Sequence, residues 1–279
     1  MDITEKLSNK PVSNKKTMKA QVLVLCASLI WVQATQIKSR KNGGRIVGGE
    51  VANAGQFPFA AAIYIATADS TYFCGGALIN MQWILTAGQC VNGALLFTIR
   101  LGNNKLSTND DNMLLLSTET YFLHPDYDPV TLSNDIGLIR LRMQINFTEY
   151  IWSTTILKNG HIPDGSSVLT VGWGQTSDEV AGLSDDLRYA NLVTLSHEEC
   201  LAAFGTQVNE QMLCVAGNYN EGTCRGDLGS PLIEYLGPMV YHIGVSSFIS
   251  SNGCESSDPS GFTRTYSYFD WIYNTTTNN

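Results

Sequence analysis

From Phe59 onward the chain repeats one rhythm, a short apolar or alternating run followed by a cluster of Gly, Asn, Asp and Pro. The runs read "FAAAIYIA" (59–66), "LLFTIRLG" (95–102), "IGLIRL" (136–141), "SSVLTVGWG" (166–174) and "MVYHIGVSSF" (239–248). They are rich in Val, Ile, Thr and aromatic residues, the side chains that suit a pleated, half-buried surface. Helical spacing is convincing only in "YSYFDWIYN" (266–274), with a weaker case in "HEECLAAFG" (197–205). Short strands closed by tight turns bury their apolar faces by packing sheet on sheet. The expected class is therefore all-β, a sandwich or a pair of barrels, with a terminal helix. At 279 residues and 44% apolar content, the chain has material for one large core or two small ones.

The cysteines and the N-terminal segment both point to export. From Met18 the sequence "MKAQVLVLCASLIWVQATQ" offers one lysine, an apolar core from Val22 to Val32, then Val32-Gln33-Ala34. This is the pattern of a signal peptide that starts at Met18 and is cleaved near Ala34. Its core of about 11 residues is too short to span a bilayer, and no later stretch is long enough. The expected mature form is extracellular, with no membrane association. Cys26 leaves with the leader, and Cys74, Cys90, Cys200, Cys214, Cys224 and Cys254 remain. An even number in an exported chain implies disulfides, with fifteen pairings open. No C-x-x-C spacing suggests zinc, so neither a metal nor a cofactor is expected. Asn146-Phe147-Thr148 and Asn274-Thr275-Thr276 are N-glycosylation sequons, with force only in a secreted protein. Residues 46–279 carry eight basic against twenty-three acidic side chains, a net charge of −15. Such a field repels nucleic acid and keeps an extracellular protein soluble.

Residues 35–45, "TQIKSRKNGGR", form a short polar stretch ending in a basic cleavage site. Beyond it four stretches occur in order: "RIVGG" (45–49), "CGGALINMQWILTAGQC" (74–90), "SNDIGLIRL" (133–141) and "GTCRGDLGSPL" (222–232). Together they resemble the trypsin and chymotrypsin family of serine proteases across nearly all of residues 46–279. The wording of "VSSFISSNGC" is similar to arthropod members. The resemblance implies two packed antiparallel β-barrels, about 46–155 and about 156–265, with a helix at about 266–275. It also selects one disulfide pattern: Cys74 with Cys90, Cys200 with Cys214, and Cys224 with Cys254. Closing the first loop, of about 15 residues, would constrain the unfolded chain by roughly 3 kcal/mol.

The family's reaction needs a serine to attack the amide, a histidine to take its proton and an aspartate to orient the histidine. Here only the aspartate matches, as Asp135. The histidine position reads Thr86-Ala87-Gly88-Gln89-Cys90, and the nucleophile position reads Gly226-Asp227-Leu228-Gly229. An alkyl chain has no lone pair for attack, and a glutamine amide does not titrate near neutrality. No peptidase activity is expected. The Gly226 and Leu228 N–H groups occupy the oxyanion-hole positions, and the leucine side chain would project where a substrate carbonyl must sit. The Gln89 amide is expected to satisfy the Asp135 carboxylate, with Ser247 as second donor.

By resemblance, cleavage after Arg45 would free the Ile46 ammonium to pair with Asp227 and order the site. An activating protease is then an implied partner. The specificity pocket would be formed by Gly222, Ser247, Phe248, Ile249 and Ser260. Gly222 stands where a trypsin carries an aspartate, so the floor is not anionic, and Ile249 narrows the entrance. A small or modest apolar residue is the expected occupant. The leading reading is a secreted, monomeric, non-catalytic homologue that binds a protein, a peptide or a protease inhibitor in its cleft, as an inhibitor decoy, a cofactor in a proteolytic cascade or a capture protein for peptides or glycans. An atypical endopeptidase is the alternative, and a storage protein without a specific ligand the third.

Overall fold

The computed structural model describes residues 49–279, apart from 159, 161 and 217–220. The leader, the propeptide and the Arg45–Ile46 junction lie outside the described residues. Among the described residues, no helix is long and apolar enough to cross a membrane.

The described chain begins with a two-residue strand, β1 (Glu50–Val51). Seven strands then build one antiparallel sheet: β2 (Ala60–Ala66), β3 (Thr71–Asn80), β4 (Trp83–Thr86), β5 (Leu96–Leu101), β6 (Leu114–Thr118), β7 (Tyr121–Leu123) and β8 (Gly137–Arg140). Their order is β6-β5-β2-β3-β4-β8-β7. The two outer strands are consecutive in the chain, separated only by Glu119 and Thr120. One bent segment thus pairs with β5 on one side and β8 on the other, and the sheet closes into a barrel. In β5 the period-two pattern buries Phe97, Ile99 and Leu101 completely, while Leu96, Thr98 and Arg100 are only partly covered. Ile63, Ile65, Leu78 and Leu85 meet them inside. Each such side chain contributes roughly 1.5–3 kcal/mol of burial.

The second sheet comprises β1 with β9 (Thr155–Ile156), β10 (Ser167–Gly172), β11 (Arg188–Thr194), β12 (Met212–Ala216), β13 (Pro231–Leu236), β14 (Met239–Phe248) and β15 (Ser260–Arg264). β11, β10, β13, β14, β15 and β12 follow one another, and β12 pairs back to β11. This ring encloses Val168, Leu192, Leu213, Val215, Leu232 and Phe262. The all-β expectation of two barrels holds. Both ends of the described chain lie where the barrels meet. β1, expected in the first barrel, pairs with β11 of the second, because Glu50 also accepts from the Tyr189 hydroxyl there (2.7 Å).

Among the described residues, three α-helices complete the fold. α1 (Gly88–Val91) is a single turn after β4. α2 (His197–Phe204) starts at a reciprocal capping box, in which Ser196 accepts from the Glu199 N–H and Glu199 accepts from the Ser196 N–H. α3 (Phe269–Asn278) is entered through a 3-10 turn at Thr265–Tyr268, so the α-helix begins later than the expected 266. In a 3-10 turn side chains at i and i+3 eclipse. Here Thr265 and Tyr268 both turn inward, to His242 and to Asn134. Ile272 of α3 then joins the large buried cluster that runs from the first barrel to Val171, Ile233 and Val245 of the second. The three expected disulfides are all formed. They fit an extracellular protein.

Candidate functional site

The cleft side of the first barrel is built on α1. Gly88 lets this turn approach closely, since a Cβ there would lie 3.1 Å from the Ile136 nitrogen and 3.0 Å from the Tyr127 ring. The approach brings Gln89 onto Asp135, whose side chain is fully buried. The Gln89 backbone N–H donates to Asp135 Oδ1 (2.8 Å) and its side-chain Nε2 to Oδ2 (2.7 Å). The second Nε2 hydrogen goes to the Ser247 carbonyl (3.0 Å), and the Ser247 hydroxyl donates to Asp135 Oδ2 (2.5 Å). Both acceptors demand donors, which dictates how the Gln89 amide is turned. Burial pushes the Asp135 carboxyl above the usual carboxylate value despite the hydrogen bonds from Ser247, Gln89 and the Gly88 backbone. Asn134 holds the left-handed conformation (φ 54°), and Thr263 donates to the Asp135 carbonyl (2.8 Å). These contacts fix the loop from the second barrel.

The other wall is the turn at 222–230. Left-handed Gly226 (φ 97°) and Gly229 (φ 81°) allow two successive reversals, closed by Asp227 N–H to Cys224 O (3.0 Å) and Ser230 N–H to Asp227 O (2.9 Å). Asp227 is buried and accepts from the N–H groups of Gly174 (2.8 Å) and Cys224 (3.0 Å). Burial raises its carboxyl to about 6, with those two bonds pulling it back. The backbone at Gly174 comes so near that a Cβ would fall 2.2 Å from Asp227 Oδ2. Leu228 is half-buried against the first-barrel core, and its carbonyl accepts from Gly75 N–H (2.8 Å). Among the described residues, no acceptor meets the N–H groups of Gly226 or Leu228. Arg225 is exposed.

The expected pocket residues come together in part. Gly222 and Ser260 are both buried, and a Cβ on Gly222 would sit 3.6 Å from Ser260 Oγ. Ser247 is committed to Asp135. Phe248 covers Gly261 and meets Phe204 edge-on (5.0 Å). Ile249 packs on the Cys224–Cys254 disulfide. Thr223, unmarked in the sequence beyond its place beside Gly222, buries a hydroxyl with no partner among the described residues. A groove of about 390 Å³ flanks this region, lined by Leu132, Phe204, Val208, Phe248, Ile249 and Asp258 among others. None of Gln89, Asp135, Leu228, Gly222 or Ser260 lines it.

The histidines are placed elsewhere. His124 packs on Tyr268 (5.2 Å) and Trp271 (5.1 Å), and His197 is exposed at the start of α2. His242 is fully buried with Nδ1 on the Thr265 hydroxyl (2.9 Å), and burial lowers it to about 3. His161 lies outside the described residues. Asp178 approaches the sulfurs of Cys224 and Cys254, but these are spent in a disulfide.

The relatives agree with this architecture. The chain is 36% identical to brachyurin of Leptuca pugilator over 81% of its own length and 96% of that protein's. It is 29% identical to chymotrypsin-like elastase family member 1 of Bos taurus, covering 93% and 99% of the two. Among solved structures, HL collagenase superimposes with a TM-score of 0.75 at 29% identity, over 83% of this chain and 98% of that one. The Trypsin family matches residues 46–272. With two closed barrels, three disulfides and a cleft between the barrels, this chain belongs to the trypsin family of serine proteases.

Proposed function

We propose that this is a secreted, non-catalytic member of the family that acts by binding. The observation that carries the reading is the hydrogen-bonding of Gln89. Both its side-chain N–H bonds are spent, on Asp135 and on Ser247, in the position where the reaction needs a group that accepts and returns a proton. Leu228, at the position of the nucleophile, has no atom that can attack a carbonyl. The same cleft keeps features useful for recognition. Among the described residues, two N–H groups at Gly226 and Leu228 have no acceptor, and Gly222 and Ser260 leave a non-anionic floor. A protease inhibitor, a protein or an extended peptide would suit such a surface.

The switch of the family fits the same reading. Members are generally activated by proteolytic cleavage, and here the cut would follow Arg45. Asp227 is a buried carboxylate held only by N–H groups among the described residues, a site that an ammonium from Ile46 would neutralise. On this proposal an activating protease toggles the binding conformation of the cleft.

The deciding assay measures peptide and ester hydrolysis by protein cleaved at Arg45–Ile46, beside the double variant Gln89→His, Leu228→Ser. The natural protein should be silent and the variant should turn over substrate. Turnover by the natural protein would overturn the proposal and establish an atypical endopeptidase. Silence in both would move any binding function away from the cleft. Saturable retention of a partner by the cleaved protein, absent from the uncleaved one, would set it apart from a storage protein.

A further inference from the structure

The two N-glycosylation sequons stand outside the cleft, and the fold presents them differently. Asn146-Phe147-Thr148 lies outside any helix or strand, between β8 and β9. Phe147 is half-buried against Trp152 (ring centroids 4.7 Å), while Asn146 and Thr148 on either side of it are both exposed to solvent. Thr148 Oγ1 accepts from the N–H groups of Tyr150 (3.1 Å) and Ile151 (3.0 Å), so its lone pairs are engaged while its own proton is unclaimed among the described residues. Asn274-Thr275-Thr276 lies inside α3. Residues two apart in a helix stand about 200° apart around the axis and face away from each other. Thr276 is half-buried where it joins Ile79 and Asn80 in lining a shallow cavity, and its hydroxyl donates to the carbonyls of Ile272 (2.9 Å) and Tyr273 (3.2 Å).

We infer that Asn146 is the N-glycosylation acceptor of the exported protein and that α3 withholds Asn274. The inference rests on the export reading proposed above. The transferase must engage the asparagine amide and the threonine hydroxyl at one site, which an exposed, non-helical segment permits and a helix forbids. The donor class is an oligosaccharide joined through a diphosphate to a membrane lipid. The Asn146 side-chain nitrogen bonds to the anomeric carbon of the first sugar as the bond from that carbon to the diphosphate oxygen breaks. The lipid diphosphate leaves, and one amide proton passes to a base of the transferase.

The test expresses the full chain in cultured animal cells and compares gel mobility before and after enzymatic removal of N-glycans, with peptide mass mapping of both sequons. A shift corresponding to one glycan is expected. It should vanish in Asn146→Gln and Thr148→Ala and persist in Thr148→Ser and Asn274→Gln. Tyr273→Pro breaks α3 immediately before its sequon and should add a glycan at Asn274. Occupancy of Asn274 in the unaltered chain overturns the inference, as does failure of Tyr273→Pro to gain it. A parallel form with a strong export leader added before the chain keeps the two readings apart. If only that form is exported, the native leader has failed as a signal. Sugar at Asn146 in it still supports the inference, and its absence from disulfide-bonded, exported chain overturns it.

Discussion

Gln89 holds together a carboxylate that would otherwise be stranded. Gln89→Ala would remove one of two donors from Asp135 Oδ2 and leave the Ser247 carbonyl unpaired. The expected cost is about 1–3 kcal/mol, read as a lower urea midpoint at unchanged slope. Two other buried groups set opposite responses to pH. Asp227 in the folded chain holds its proton up to about 6 against an ordinary 3.8, so the stability it contributes in acid is lost as pH rises between those values. His242 stays neutral down to about 3 against an ordinary 6.5, so its contribution is complete above 6.5 and is lost as pH falls toward 3. At about 1.4 kcal/mol per unit these amount to roughly 3 and 5 kcal/mol in opposing directions. Melting of the uncleaved protein should therefore fall only modestly from pH 6.5 to 4, and His242→Leu should make it rise instead. If cleavage seats the Ile46 ammonium on Asp227, that carboxyl drops below its ordinary value and its slope reverses. Cleaved protein should then lose stability in acid more steeply than uncleaved.

At the scale of elements, the Ser196–Glu199 box fixes where α2 begins. Ser196→Ala should cost about 1 kcal/mol, measurable by thermal unfolding, with the disulfide from Cys200 to Cys214 intact. The signal for this box, Ser-x-x-Glu before "CLAAF", stood in the sequence, as did β2, β5, β8, β10 and β14, because Val- and Ile-rich runs survive without tertiary help; β3, with two glycines at its centre, and β11 carry a weaker pattern. Other elements carry no such signal. β1 and β9 span two residues each and exist only because a neighbouring strand is there to pair. α1 is one turn whose helicity comes from the preceding strand and the Cys74–Cys90 link. In the site, Gln89 and Leu228 were legible because their surroundings resemble the family pattern, with Gly88 and Gln89 departing from it in the first stretch and Leu228 alone in the second. The Gln89 bond to the Ser247 carbonyl was not, since a main-chain acceptor leaves no mark on residue choice. Thr223 and the Thr263 contact to Asp135 are hidden for the same reason: they depend on which strands the barrel closure sets side by side.

Over the whole molecule, the two ends of the described chain help join the barrels. β1 extends the second sheet at β11, while Ile272 of α3 enters the buried cluster that the first barrel shares with Val171, Ile233 and Val245 of the second. Ile272→Ala leaves a cavity in that core and should cost about 2–5 kcal/mol, seen as a lower denaturation midpoint. If the barrels unfold as one unit, near-ultraviolet dichroism and far-ultraviolet dichroism will shift together; separate transitions would show that the helix does not couple them. The seam carries a further consequence. A histidine in the place of Gln89 would acquire charge in mildly acidic fluid and alter its hold on Asp135, so the join between the barrels would change with the surrounding medium. The amide that replaces it cannot ionise. The Gln89 amide therefore offers the Ser247 carbonyl the same donor in fluids of very different acidity, and any response of the cleft to acid is left to the carboxyls of Asp135 and Asp227.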